Sequence, residues 1–488
     1  MKKIIKKHWY IISILIIIIF AIFLRFYNYE NRWALAGDQA RDAIIARESL
    51  HTLTPAVLGP FSSAGNFTTG PVWYWWLTLT TMIFPYSVLT PWIMLTATYI
   101  AFVYVMILIG KELGGKPLAL ILGILAAVSP AQIDQSRNLT NPSLVALFSV
   151  LALYFAIKYV KTGKNIFIFL FPFFISQSIQ THFQALNLLI LIPIALIIKR
   201  PSIKSALLFI IGLIIPSIQY LLYDFTNQFY NIRGIVDYAQ YGQYKVYIAN
   251  RWLTYAGIFW PQTWATVIGV LPFTGYLSLV LVTIVTIYSV TKKKITKPIV
   301  LVLTSFLLMF IALRYYRGER FGGYYIFLHP FILTLTAWAC FQLMKAKQIL
   351  GFLLLAVLVA GSTIVNMKQI LPADNYTARQ AEGWSNLLIK TYPYEQFAIY
   401  EAGNGTPSKS LPLVLFLDSK NKINDNGHKI SFGSPPETAI KAHFTIVKNN
   451  PLDYELWDIT SSSSAQLEKL GWKLINPSAT AKWHLGNK

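Results

Sequence analysis

Long apolar runs separated by short polar breaks fill the first three quarters of the chain. The first run is 9–27. Others lie near 71–89, 92–110, 117–132, 143–160, 166–180, 184–198, 205–222, 264–290, 298–313, 326–344 and 348–366. A helix of about 20 apolar residues crosses roughly 30 Å of hydrocarbon, so the pattern predicts a polytopic helical membrane protein. The shorter runs must end in buried or wet surroundings. Beyond residue 367 the pattern changes. Short alternating runs at 397–400, 413–417 and 444–447 are punctuated by Asn, Gly, Pro and Ser, which predicts strands and turns. Two domains follow: a transmembrane domain at 1–366 and a small soluble α/β domain at 367–488.

The polar breaks orient the helices. Lys2, Lys3, Lys6 and Lys7 precede the first run and no small-residue cleavage site follows it. The run is expected to be an anchor with a cytoplasmic N-terminus. Lysine clusters at 111/116, 158/161/164, 199/204, 292–297 and 345/347 should face the same side, and an even number of runs separates each from the next. Only the interval before Lys111 breaks parity. The run 71–89 opens Gly70-Pro71-Val72-Trp73-Tyr74-Trp75-Trp76, and aromatics favour the interface. About eleven spans plus one interfacial or re-entrant helix on the outer face are therefore expected, the alternative being twelve spans with one misplaced charged loop. The same parity places the C-terminal domain outside.

Composition agrees with a membrane protein. Hydrophobic residues make up 55% and charged residues 13%, against about a quarter charged in soluble domains, which excludes a soluble enzyme. The net charge of +22 follows from lysine in cytoplasmic loops and does not require nucleic acid. The single cysteine, Cys340, excludes an intramolecular disulfide framework. The abundance of Lys, Ile and Asn points to an AT-rich microbial genome and a bacterial cell membrane.

Charge type divides by side. Expected cytoplasmic loops carry lysine and one arginine, Arg200. Expected outer loops of the membrane domain carry Arg25, Arg32, Arg41, Arg47, Arg137, Arg233, Arg251, Arg314, Arg317 and Arg320, with one lysine, Lys245. Topology needs only positive charge. Guanidinium adds a rigid fork of donors suited to phosphate or carboxylate. Acids share that face, among them Asp38, Asp42 and Asp134. The blander account is a set of ion pairs tying the loops together.

Four outer segments hold candidate chemistry. In Gly37-Asp38-Gln39-Ala40-Arg41-Asp42, Asp38 is placed to cap a helix or to act as a general base, and Asp42 lies one turn on. Two carboxylates so close would push one pKa upward, or else Arg41 and Arg47 would hold both ionised. A divalent cation between the two acids is an alternative to having no cofactor, although no His/Cys/carboxylate spacing calls for zinc. In Gln132–Asn141, Arg137 is a candidate phosphate contact with Asp134 as its structural partner. In Gln177–Gln184, Gln180 and His182 can bond sugar hydroxyls, or His182 can be a buried core histidine. In Arg314–Tyr325, Arg317 and Arg320 stand among glycines and aromatics such as Tyr324. That composition suits phosphate and a sugar face, or else anionic lipid head groups.

Residues 1–370 resemble the GT-C superfamily of polyprenyl-phosphate-sugar glycosyltransferases, nearest the branch of protein O-mannosyltransferases and lipid A aminoarabinose transferases. The matching features are Asp38 just after the first span, Gly70-Pro71-Val72-Trp73-Tyr74, and Ser129-Pro130 followed by Ser136-Arg137-Asn138. One departure is that Gln39 stands where many relatives have Glu, which leaves the catalytic carboxylate open between Asp38 and Asp42. The resemblance implies a hexosyl- or pentosyltransferase with a polyprenyl-phosphate sugar as donor. A carboxylate would deprotonate an acceptor hydroxyl on a glycan, lipid or protein. Arg137, Arg317 and Arg320 would bind the leaving phosphate, and late outer loops would line the donor site. The residues by themselves show only an anionic site with a nearby acid. The rival class, a transporter or flippase, would show internal repeats and mid-membrane charges, and the charges here cluster at span ends.

Overall fold

In the computed structural model, residues 2–244, 252–269, 271–318, 320–371, 376–402, 408–433 and 456–486 are described. Among them, eight helices are long and apolar enough to cross a membrane, and Asn165–Thr181 and Phe183–Ile198 are shorter apolar helices. Helix α1 (Lys2–Phe26) opens the bundle, α2 (Gly37–His51) and α3 (Val72–Thr81) follow in the first loop, and α4 is Thr90–Val128.

Helix α4 has 39 residues but is broken at Gly114 and Gly115, whose φ values are −153° and +74°. The positive φ suits glycine, and Pro117 restarts the helix in its first turn. The two arms correspond to the separate runs 92–110 and 117–132. They approach closely: a Cβ on Gly110 would lie 2.6 Å from the Ala119 Cα. With the arms taken separately, the apolar helices occupy the predicted runs apart from 71–89 and 264–290. At 71–89, α3, of ten residues, is about 15 Å long at 1.5 Å per residue and too short to cross.

Two expectations need correction. The run 264–290 is not one helix but two, Trp260–Ile268 and Pro272–Thr291. Gly269 and Pro272 turn the chain, and Gly275 lets the second helix lie against the Pro261 carbonyl. The run 413–417 is not a strand but part of the helix Leu411–Ser419. A short, wholly apolar run carries no period to separate the two forms, and this helix is buried along nearly its whole length. The predicted strand at 444–447 lies outside the described residues.

Lysine-rich breaks meet at one end of the bundle. Lys158 and Lys161 pair with Glu112 at 2.9 and 2.6 Å. The Lys116 ammonium lies 5.5 Å from the Tyr10 ring, and the Tyr159 hydroxyl donates to the Lys199 carbonyl. At the other end, Arg25 donates to the Ala126 and Ala127 carbonyls at 3.4 and 3.0 Å, and Arg32 donates to Leu24 and Tyr27. Both guanidiniums thus satisfy helix C-terminal carbonyls, of α4 and α1, that lack intrahelical donors.

The C-terminal domain contains a four-stranded sheet in the order β3-β2-β1-β4: β1 Phe397–Ala402, β2 His428–Phe432, β3 Leu456–Asp458 and β4 Trp472–Leu474. Strands β1 and β2 are parallel; the outer pairs are antiparallel. The crossover from β1 to β2 contains the Leu411–Ser419 helix, which packs on both Tyr376–Thr391 and α2. Its Phe416 ring sits 6.5 Å from Trp33 of the first loop. The domain is therefore docked on the same end as α2.

Candidate active site

Helix α2 begins at the close of a short loop tied to the neighbouring segment, where Ala34 N–H donates to the Arg137 carbonyl and Gln39 bonds Asn138 at 2.9 Å. Ala36, not Asp38, occupies the cap position, and no side chain caps this helix. Asp38 lies within the first turn instead. Its carboxylate, 56% exposed, receives Arg41 at 2.8 Å. Asp42, one turn on, is buried, its side chain only 3% exposed. It accepts from Arg41 Nε and Nη2 at 3.0 and 2.8 Å, from Trp73 Nε1 at 2.8 Å and from the Tyr74 hydroxyl at 3.1 Å.

Arg41 thus bridges both carboxylates. Burial alone would lower its pKa, but Asp42, Tyr74 and Asp38 more than offset that and raise it. Tyr74, enclosed on all sides beside Asp42, is pushed well above the ordinary phenol range, first by burial and then by the carboxylate. Among the described residues no three His, Cys, Asp or Glu side chains gather as metal ligands. Arg47, expected beside these acids, turns the other way and pairs with Asp418 of the C-terminal domain at 2.6 Å.

The same end gathers the other predicted segments. Arg137 pairs with Asp134 at 2.8 Å, as expected, and reaches the Arg32 carbonyl at 3.3 Å. His182 stacks on Tyr324 with ring centroids 4.9 Å apart, and Tyr324 bonds Ser63 of the first loop at 3.2 Å. Burial pushes the His182 imidazole down to about 4, so it is neutral at physiological pH. Gln180 is engaged structurally. Its amide donates to Ser217 at 2.9 Å, and its Oε1 lies where a Cβ on Gly70 would stand, 1.4 Å away.

The arginine-rich segment is packed among aromatics. Arg320 lies over Tyr255 and Phe259 at 4.9 and 5.4 Å, and Arg314 over Trp252 at 5.1 Å. Tyr255–Phe259 is a single π turn whose two end rings stack at 10°. π turns are rare and recur at functional sites. Arg317 is half-buried, its backbone N–H donating to Gln243 at 3.1 Å. Tyr316 joins Tyr238 at 2.8 Å and Gln184 at 3.3 Å. The loops after 224, around 180 and around 316 therefore meet.

Three residues of the site have roles that sequence reasoning missed. Trp73 and Tyr74 stand in a conspicuous aromatic run, but nothing in it names Asp42 as their acceptor. His484 comes from the far end of the chain. It is buried at 3% exposure with its ring 5.1 Å from Tyr74. Burial, then the nearby Arg41 charge, push it down to about 4.

No protein-family model and no curated protein matches the chain. Solved structures do. ArnT from Cupriavidus metallidurans, in the apo state, superimposes with a TM-score of 0.63 at 10% identity, over 93% of this chain and 99% of that one. The same enzyme bound to undecaprenyl phosphate gives 0.63 at 9% identity, over 93% of this chain and 98% of that one. The oligosaccharyltransferase AglB from Archaeoglobus fulgidus, in complex with an inhibitory peptide and a dolichol-phosphate, gives 0.51 at 12% identity, over 88% of this chain and 70% of that one. Superposition on ArnT over nearly the whole of both chains, together with eight helices apolar and long enough to cross a membrane among the described residues, gives this integral membrane protein the GT-C fold.

Proposed function

We propose that this protein is a membrane glycosyltransferase that moves a hexosyl or pentosyl group from a polyprenyl-phosphate donor to an acceptor hydroxyl at the outer face of the cell membrane. The observation that carries the proposal is the unequal pair on α2. Asp42 is enclosed by three donor side chains, whereas Asp38 shares Arg41 with it and is open to solvent. An accessible carboxylate fixed at one oxygen keeps its other oxygen for a substrate proton, which suits a general base. Asp42 holds the Arg41 guanidinium in place.

The acceptor oxygen attacks the anomeric carbon, the bond from that carbon to the phosphate oxygen breaks, and Asp38 takes the hydroxyl proton. Polyprenyl phosphate leaves, and one displacement inverts the anomeric centre. Arg137, Arg317 and Arg320 are proposed to stabilise the charge growing on that phosphate, a role that can supply much of the rate. His182 and Tyr324, stacked beside the first loop, are proposed to contact the sugar or the acceptor. Gln180 would act through its hold on Gly70. The binding of polyprenyl phosphates by ArnT and AglB, which have the same fold, supports the donor class.

The test is transfer from a panel of radiolabelled polyprenyl-phosphate hexoses and pentoses by purified full-length protein in detergent. Asp38→Asn is expected to lower turnover by about a hundredfold or more with the thermal transition unchanged. Asp42→Asn is expected to lower both turnover and stability. A folded Asp38→Asn variant that transfers at the wild-type rate would remove Asp38 as base. A wild-type protein that transfers from no donor in the panel would remove the proposal.

A further inference from the structure

We infer that the segment 477–486 is a working part of the carboxylate site and that His484 is its positioning residue. This goes beyond the transfer chemistry, and only one arm of its test rests on that proposal.

The segment comes back to the first loop and is fastened along its length. The helix Pro477–Ala481 starts under an Asn476 cap that receives Ala479 N–H at 3.2 Å. Ser478 donates to Glu48 of α2 at 2.6 Å. The N–H groups of Val57 and Leu58 donate to the His484 carbonyl at 2.9 and 3.4 Å. Trp483 lies 4.4 Å from Phe61 between centroids, and Leu485 is buried.

These bonds drive the imidazole inward, edge-on to Tyr74 at 5.1 Å and to Phe61 at 5.2 Å. Tyr74 in turn donates to Asp42, and Asp42 orients the guanidinium that holds Asp38. A phenol hydroxyl reaches its acceptor only while its ring stays in place. Buried rings keep their place by packing, because a vacated volume lets neighbours collapse into it.

His484 Nδ1 is buried without a hydrogen-bond partner. A nitrogen in that state costs stability rather than adding it. A hydrogen bond to the Gly59 backbone ties the imidazole to the first loop, and its packing wedges it against Tyr74. The ring serves the site by its shape and not by passing a proton. Phenylalanine has nearly that shape and lacks both nitrogens, so it keeps the wedge without the Gly59 bond.

His484→Ala and His484→Phe are compared with wild type in the full-length protein by two readouts. The first is independent of activity: hydrogen–deuterium exchange across 36–47 and 70–78. Exchange is expected to rise in both stretches in His484→Ala and to return to the wild-type level in His484→Phe. The second is the transfer assay. His484→Ala should lower kcat by about tenfold or more, with KM for the polyprenyl-phosphate sugar changed by less than about twofold. His484→Phe should keep at least about half of the wild-type kcat. Unchanged exchange in His484→Ala, wild-type kcat in that variant, or a His484→Phe protein as impaired as His484→Ala would each overturn the inference. If the wild-type protein transfers no sugar from the panel, the proposed function has failed, and the exchange data alone decide this one.

Discussion

Asp38 and Asp42 are four residues apart on one helix face, share one arginine, and differ in exposure by a wide margin. The Asp38–Arg41 half of their pairing was legible from helical spacing, since residues three apart are neighbours; the Arg41–Asp42 half, between adjacent residues, was not. Their separate roles were not, because the donors that enclose Asp42 come from another helix. Arg47 was misplaced for the same reason: Asp418 lies 371 residues further on. His484 carries a pH consequence. Its imidazole titrates at about 4 in the fold against an ordinary value of about 6.5. Between those values the unfolded chain binds the proton and the folded one does not, so stability rises with pH. The contribution is complete above about pH 6.5 and is lost progressively down to about pH 4, about 3 kcal/mol in all. Thermal unfolding of wild type in detergent should show this slope, and His484→Phe should show a shallower one, because His182, also pushed down to about 4, keeps its own contribution.

Elements whose boundaries are written in glycine and proline were recovered where those residues interrupt a run visibly. Gly114-Gly115 with Pro117 separated the arms of α4 as two apolar runs. Gly269 and Pro272 carry the same signal, but the apolar run continues across them, and the hydrophobic pattern outweighed the breakers. The helix Leu411–Ser419 was mistaken because burial against both α2 and its own domain erased the amphipathic period. Gly70 illustrates how elements constrain one another. Gln180 occupies the volume a Cβ would need, and Gln180 is itself tied to Ser217. Gly70→Ala is therefore expected to push the Asn165–Thr181 helix away from α3 and to cost about 1–3 kcal/mol. A lowered melting temperature would register the change, and Gln180→Ala in the same chain should restore part of it by making room.

At the scale of the molecule, the division of lysine from arginine predicted two ends, and two ends are present: one where lysines meet Glu112, the other where arginines cap helices and hold acids. The C-terminal domain belongs to the second end. Its Asp418 meets a nearly buried Arg47, so removing one partner leaves a charge with little solvent. Asp418→Ala is expected to cost about 3–5 kcal/mol. Limited proteolysis should then cut between the two domains faster than in wild type, and equal rates would show that other contacts hold the domain in place. The contact between Ser478 and Glu48 spans 430 residues of chain. At about 5–20 residues per second of synthesis, α2 waits roughly twenty seconds to a minute and a half for the segment that completes it. Throughout that interval the first loop stands at the bilayer with Glu48 lacking Ser478 and Tyr74 uncovered, and for most of it Arg47 lacks Asp418. The carboxylate site is thus among the earliest parts of the chain to be synthesised and among the last to be assembled, which makes premature termination after the final membrane helix a way to produce an inserted but inactive protein.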